Sequence, residues 1–419
     1  MTKHIKDLIK NLGEKAKKAN TEMCHISTDM KNKTLRQLGE LIWQDKEFIL
    51  KENRKDLIKA DKNGLSASKK DRLLLNEARL YDIISSLSMI AKQDDPIGQV
   101  IDQWTRPSGI SIKKVSTAIG VIGVIYESRP NVTIDAGALC IKSGNSAILR
   151  PGSDSFYSSI SLHECIKKSL LSCNLPEDLI QIIPIKDREA VSELLQMTEY
   201  LDVVVPRGGK DLVELVQKIA KVPVFSHLDG IVHAYIHSDA KPDLTKRVII
   251  NSKLRRPGIC GALECLLINQ KYFLRYGKLL IKDLIDHGVE IRGDSAVHLV
   301  PGTRLAKEGD WGKEFLDKIL AVKIVGGVDE AISHIQKFGS NHTDCILTED
   351  DEVSELFFSQ LDSAILMQNV STQFADGGEF GMGGEIGIAT GKLHARGPIG
   401  AQQLTSFKYI VQGKGVVRK

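Results

Sequence analysis

None of the seven cysteines forms a CxxC pair, and their number is odd. That usage fits neither a disulfide framework nor a zinc site, and it points to a reducing compartment. No apolar run approaches the length of a membrane span, and the start lacks the apolar core of a secretion signal. The expected location is the cytoplasm, with no membrane partner. A concentrated basic stripe is missing too. The formal net charge of +4 is spread along 419 residues, which argues against a nucleic-acid partner. Lysines do gather in "MTKHIKDLIKNLGEKAKKAN", but Ile5, Leu8, Ile9 and Leu12 recur there at helical spacing, so they read as the wet face of a surface helix. There is no internal repeat and no low-complexity tail.

What is present is a globular composition, 42% apolar and 26% charged, in a chain too long for one ordinary core. Residues 1 to about 100 read as mostly helical, with apolar positions three and four apart in "DKEFILKENRKDLIKADKNG" and "DRLLLNEARLYDIISSLSMIAKQ". "PSGISIKKVSTAIG" alternates apolar and polar residues like an exposed strand or hairpin. Buried strands and helices then take turns. "VIGVIY", "SAILR", "DLIQIIPI", "LDVVVP" and "VPVFSH" read as strands, with helices between them. This alternation predicts an α/β fold with a parallel, doubly wound sheet, whose ligands bind at the carboxyl ends of its strands. A second α/β unit is expected from about Asp239. Near the end, "FADGGEFGMGGEIGIATGKLHARGPIG" is dense in glycine but too apolar for a linker, which suits a backbone that approaches a ligand or a neighbour closely.

Several stretches are suited to chemistry. Cys265 lies inside the apolar run "LECLLI" and reads as a buried core thiol. Cys260 differs, because Pro257-Gly258 opens its loop and Lys253, Arg255 and Arg256 precede it. Nearby cations and a turn that exposes backbone N–H groups favour the thiolate, the nucleophilic form. In "LDVVVPRGGKDLVELV" a strand, Pro206-Arg207-Gly208-Gly209 and a helix make a possible phosphate cradle, although a plain glycine turn accounts for it equally well. Glu127-Ser128-Arg129-Pro130-Asn131 puts polar groups at the end of a buried strand, with Arg129 able to grip a carboxylate or phosphate through two bonds. Arg150 and Ser153 close the next strand, where a ribose or its 2′-phosphate would lie. His233 and His237 share one strand face, but no third ligand follows in a zinc pattern, so no metal site is expected.

Taken together, these segments resemble the gamma-glutamyl phosphate reductase family within the aldehyde dehydrogenase superfamily. The residues that carry the resemblance are "GVIYESRPNVTIDAGALCIKSGNSAILR", "VVPRGGKDLVELV", "HLDGIVHAYI", "RRPGICGALECLLI", "EFLDKILAVKIV" and "EFGMGGEIGIATGKLHARGPIGAQQLTSFKYIV". They follow in family order from about residue 100 to the end.

The resemblance implies an aldehyde dehydrogenase-like fold: a cofactor-binding domain at 1–104 and 121–237, a catalytic domain at 238–365, and a small β oligomerisation element at 105–120 and 385–419. It implies NADPH-dependent reduction of L-glutamate 5-phosphate to L-glutamate 5-semialdehyde and phosphate, in proline biosynthesis, through a thioester on Cys260. It implies oxyanion donors at the Cys260 backbone N–H and at Ser128 or Asn131. Ser128 stands where the superfamily has an asparagine, which leaves the second donor open. The cofactor would meet Arg150, Ser153, Pro206, Arg207, Gly208, Gly209 and Glu314, and the substrate Arg129, Lys253, Arg256, His394 and Arg396. His227 occupies the position of the general-base glutamate in hydrolytic members, a change that suits an enzyme protecting its thioester from water. A homodimer or higher homo-oligomer is implied, with glutamate 5-kinase as a possible pathway partner. A different acyl reductase of the same fold, acting on an acyl-CoA or another acyl phosphate, is the alternative within this class; a catalytically silent protein that kept the fold is the alternative outside it.

Overall fold

The computed structural model describes residues 2–23, 25–226 and 229–418; Cys24 and His227 lie outside them. The chain folds as two compact units. The first comprises Met1–Ser226, Gly381–Gly387 and Pro398–Lys419, and the second His227–Phe380 and Ile388–Gly397.

The first unit begins with helices Thr2–Met23, Thr28–Gln44, Lys46–Lys62, Ala67–Leu73 and Glu77–Lys92. Leu35, Leu38 and Ile42 recur at three- and four-residue steps and are fully buried. Ser27 and Asn76 cap their helices by accepting the N–H groups of Met30 and Arg79. Strands β1 (Val100–Thr105) and β2 (Ser111–Ala118) form an antiparallel hairpin, and the C-terminal strand Thr405–Gln412 pairs along the other side of β2. On these strands Val100, Ile101, Phe407, Tyr409, Ile410 and Val411 are exposed.

A four-stranded parallel sheet forms the centre of this unit. Its order is β5-β4-β3-β6, from β3 (Val121–Tyr126), β4 (Ser146–Pro151), β5 (Ile180–Ile182) and β6 (Val203–Arg207). Every residue of β3 and β4 is buried, which is why "VIGVIY" and the "AIL" of β4 read as apolar runs rather than alternating ones. Glu127, Pro151 and Arg207 therefore stand together at the carboxyl edge of the sheet.

The second unit contains a seven-stranded sheet, in the order β10-β9-β11-β8-β7-β12-β13. Its strands are β7 (Val232–Ile236), β8 (Leu263–Asn269), β9 (Glu290–Gly293), β10 (Arg304–Leu305), β11 (Ile319–Val325), β12 (Thr343–Leu347) and β13 (Ile365–Gln368), paired in parallel throughout.

Two expectations need correction. The boundary expected after residue 237 falls after Ser226 instead, because β7 is an inner strand of the second sheet, flanked by β8 and β12. "VPVFSH" makes no strand among its described residues. It contributes one isolated bridge, Val204 to Val224, with the Phe225 N–H donating to the Val204 carbonyl at 2.9 Å.

Candidate active site

Cys260 lies in the second unit, in the loop between helix Pro242–Leu254 and β8. Arg256 accepts the Ile259 N–H through its carbonyl and Ile259 accepts that of Ala262, so the loop is wound into consecutive turns. The thiol is half-buried, whereas Cys140, Cys165, Cys173, Cys265 and Cys345 are all buried. Two glycines let the chain close around it. A Cβ on Gly230 would lie 2.3 Å from the Cys260 carbonyl oxygen and 2.8 Å from its Cβ. A Cβ on Gly261 would lie 3.2 Å from the Thr372 carbonyl. The Gly230 N–H donates to Glu314 Oε1 at 2.9 Å, so this carboxylate fixes the segment that presses on the cysteine.

The cations preceding Cys260 separate into two environments. Arg255 and Arg256 are exposed. Lys253 is fully buried, with its ammonium 2.7 Å from Glu264 Oε2. That is a correction to its expected place among substrate-binding cations: Glu264, on β8, consumes its charge. Burial raises the Glu264 carboxyl to about 7, against the pull of Lys253 and the Leu316 N–H, and burial also lowers Lys253. The Leu316 N–H donates to Glu264 Oε1 at 3.0 Å, so the buried pair also braces the segment that carries Glu314.

Arg396 is engaged as well. Its Nη1 donates to Asp362 Oδ1 at 2.9 Å and its Nε to the Thr390 carbonyl, which ties down its own loop; His394 nearby is exposed. Within the same unit Arg247, Asn251 and Arg255, four residues apart, line an open cleft of about 430 Å³ with Ser371, Gln373 and Phe374. Gln373 donates to the Ser252 carbonyl at 2.9 Å, which fixes the far wall. Arg247 is not among the residues expected from the sequence. The signal was its spacing from Arg255 along one helix face.

In the first unit, Ser128 has a positive φ of 47° and is buried; its hydroxyl contacts the Asp154 carboxylate and its N–H donates to Asp154 Oδ1 at 3.3 Å. A non-glycine residue in this conformation is strained by roughly 1–3 kcal/mol. Asn131 donates from Nδ2 to Asp135 Oδ2 at 2.8 Å. Both side chains expected to hold an oxyanion are thus occupied by carboxylates of their own unit. Arg129 is half-buried, with Nη1 3.4 Å from the Glu127 carbonyl.

At the end of β6, Gly209 N–H donates to Glu127 Oε2 at 3.1 Å, so an anion already sits where helix Lys210–Ile219 begins. A Cβ on Gly208 would meet Leu212 Cδ2 at 2.5 Å and Glu127 Oε2 at 2.7 Å, so a side chain there would have to push aside the ends of Leu212 and Glu127. Arg207 reaches Glu385 at 3.5 Å, and a Cβ on Gly387 would lie 3.3 Å from Arg207 Cδ. The glycine-rich segment therefore runs against the Arg207 side chain. Arg150 does not face outward as expected. It is buried, and its Nη atoms donate to the carbonyls of Pro151, Lys186 and Asp187. Ser153 is exposed, and Lys59 Nζ lies 3.1 Å from its carbonyl, a cation the sequence reading did not connect with it.

Comparison with known proteins bears on this arrangement directly. The aldehyde dehydrogenase family profile matches residues 3–297. The gamma-glutamyl phosphate reductase of Brucella suis biovar 1 (strain 1330) is 51% identical over 420 residues, covering 100% of both chains. The chain belongs to the aldehyde dehydrogenase family, among its gamma-glutamyl phosphate reductases. The crystal structure of the Thermotoga maritima gamma-glutamyl phosphate reductase superposes with a TM-score of 0.94 at 39% identity, covering 98% of this chain and 100% of that one. The fold extends further. An acetylating aldehyde dehydrogenase from Geobacillus thermoglucosidasius gives a TM-score of 0.73 at 17% identity over 100% of this chain and 99% of its own. The α/β fold expected from the sequence is the aldehyde dehydrogenase-like one, and the chain is an oxidoreductase whose family implies a nicotinamide cofactor. No helix among the described residues is long and apolar enough to cross a membrane.

Proposed function

We propose that this chain reduces L-glutamate 5-phosphate to L-glutamate 5-semialdehyde with NADPH, through a thioester on Cys260. One observation carries the reading: the half-buried Cys260 stands in a wound loop against Gly230, where no side chain fits, while the other described cysteines are buried.

The thiolate attacks the γ-carbonyl, a C–S bond forms, the C–O bond to phosphate breaks, and inorganic phosphate departs with the electron pair. When bound, NADPH supplies a hydride. That reduction leaves the former carbonyl oxygen as an oxyanion, whose electron pair re-forms the C=O bond as the C–S bond breaks, and the aldehyde leaves with Cys260 again a thiolate. Both tetrahedral stages place negative charge on the former carbonyl oxygen, for which the Cys260 backbone N–H is the proposed donor. Ser128 and Asn131 act one step back, by holding the loop at the end of β3 through Asp154 and Asp135. Arg129, Arg256 and the exposed His394 are the proposed contacts for the substrate's anionic groups, and Arg247 and Arg255, which line the cleft of the second unit, are further candidates.

The residues fit the cofactor. The Gly209 N–H already donates to a carboxylate, that of Glu127, and Gly208 leaves the close approach that a pyrophosphate needs. Pro206 and Arg207 close this cradle, and Glu314 is the proposed partner of the nicotinamide ribose. Exposed Ser153 and the Lys59 ammonium supply a donor and a positive charge for a 2′-phosphate, whereas Arg150 supports that loop from within. We also place the self-association surface on Thr405–Gln412, an outer strand with exposed apolar residues, a type of edge that proteins commonly cover by pairing.

The test is NADP⁺ reduction by glutamate semialdehyde, with and without inorganic phosphate, in the wild type and in Cys260→Ser. Phosphate-dependent turnover that disappears in the variant is the expected result. Turnover unchanged in Cys260→Ser, or supported by coenzyme A in place of phosphate, would refute the proposal.

A further inference from the structure

His233, Cys265 and His334 come from three separate elements of the second unit: β7, β8 and helix Val328–Phe338. His233 and Cys265 are direct partners across the β7–β8 ladder. His334 lies over the same sheet face, with Cys265 Sγ 3.7 Å from its Nε2. One ligand atom from each of the three lies within 4.8 Å of the others. All three side chains are interior, at 0%, 1% and 4% exposure, so this is no accidental surface grouping.

Two imidazole nitrogens here, His233 Nε2 and His334 Nδ1, are buried without any hydrogen-bond partner; only His233 Nε2 bears on the cluster, because His334 meets Cys265 through its other nitrogen, Nε2. Native interiors rarely leave such atoms unsatisfied, and each one calls for an explanation. The remaining nitrogen of His233 is held. Its Nδ1 lies 3.2 Å from the Ile231 carbonyl and 3.3 Å from Asp344 Oδ1, which leaves Nε2 as the atom available to the cluster. Asp344 is itself fixed, accepting from the His233 N–H at 3.1 Å and from the Ser363 hydroxyl. A carboxylate on the far nitrogen of an inward-facing histidine is the support that metal-binding histidines usually have.

We propose that His233, Cys265 and His334 form a buried binding site for a thiophilic d¹⁰ cation of the zinc class, distinct from the Cys260 centre. Zinc–nitrogen and zinc–sulfur bonds of about 2.0–2.1 and 2.3 Å set tetrahedral N···S edges of about 3.6 Å. The Cys265–His334 edge already has that length. The widest separation in the cluster, up to 4.8 Å, would have to close by about 1.2–1.4 Å on binding. Two imidazoles and a thiolate favour zinc over oxygen-seeking magnesium or calcium, and a solvent molecule would complete the four-coordinate shell. Binding would join β7, β8 and helix Val328–Phe338 at one point, five residues along the chain from Cys260.

The test uses the full-length chain. Metal content is measured by mass spectrometry on desalted protein, and chelator-treated protein is titrated with Co²⁺, whose bond to a thiolate gives a near-ultraviolet charge-transfer band. The expected result is one equivalent per chain and a band that survives in Cys260→Ser but vanishes in Cys265→Ala. Asp344→Asn should weaken Co²⁺ binding by about 10–100-fold, the usual effect of removing such a support. X-ray absorption of the cobalt wild type, which does not depend on any variant folding, should return a mixed nitrogen and sulfur shell. Wild-type protein that takes up no stoichiometric cobalt would overturn the proposal, as would a band retained in Cys265→Ala or lost in Cys260→Ser.

Discussion

Replacing Lys253 by methionine removes an ammonium that is completely buried and lies 2.7 Å from the Glu264 carboxylate, itself 1% exposed. The methionine fills much the same volume, so the change is chiefly electrostatic. It leaves a carboxylate in a low-dielectric interior, still held by the Leu316 N–H but without its counter-charge. Breaking one half of a buried pair in this way costs about 3–5 kcal/mol. For a unit of this size that corresponds to a fall in melting temperature on the order of 10 °C. The double variant Lys253→Met/Glu264→Leu removes both charges and should regain most of the loss, because an apolar replacement of a buried pair is often neutral or better.

The pH dependence of that deficit follows from Glu264. Its carboxyl titrates near 4.5 in the unfolded chain and near 7 when folded, raised by burial. The folded state therefore retains a proton that the unfolded state has lost. The stability this group contributes is fully present below about 4.5 and is lost as pH rises through about 7. Without Lys253 the folded value rises further, so the deficit should be greatest above neutrality and should narrow toward pH 5. Calorimetry of wild type, single and double variants across that range is the assay. A Lys253→Met protein that melts with the wild type at every pH but has a raised KM for the acyl phosphate would refute the argument, since an exposed substrate-binding cation behaves that way.

Gly230→Ala places a methyl 2.3 Å from the Cys260 carbonyl oxygen, so the cysteine loop must shift. A displacement of about 1 Å at a reacting group lowers kcat/KM by roughly 100-fold, while circular dichroism should stay native. Lys59→Glu reverses the charge beside Ser153 and should raise the KM for NADPH by roughly tenfold, about 1.4 kcal/mol, while that for NADH changes little. Equal effects on both cofactors would move the 2′-phosphate elsewhere. Tyr409→Asp puts a charge on the exposed face of the C-terminal strand, and light scattering should then report a smaller assembly than the wild type.

Much of this molecule was legible from local pattern. The apolar stretches within β3, β4, β6 and β8 reflect burial on both faces of parallel sheets, a short-range property that hydropathy displays directly. The Cys260 loop was legible for a similar reason, because Pro257 and Gly258 break the helix ahead of it. The reach of long side chains was not. Lys253 and Arg256 are three residues apart, yet one is buried against Glu264 and the other is exposed. Arg150 looked like an outward cation at a strand end and instead donates to backbone carbonyls from loops nearly forty residues apart in sequence, Pro151 to Asp187.

The sequence by itself determined the alternation of strands and helices, the glycines that permit close approach, and which cysteine stands in a loop. These depend on backbone propensity and apolar periodicity, which act over a few residues. Tertiary structure alone decided which charges are spent in the interior and which histidines meet. His233, Cys265 and His334 are brought together by strand register and by the placing of one helix, and no spacing along the chain encodes either.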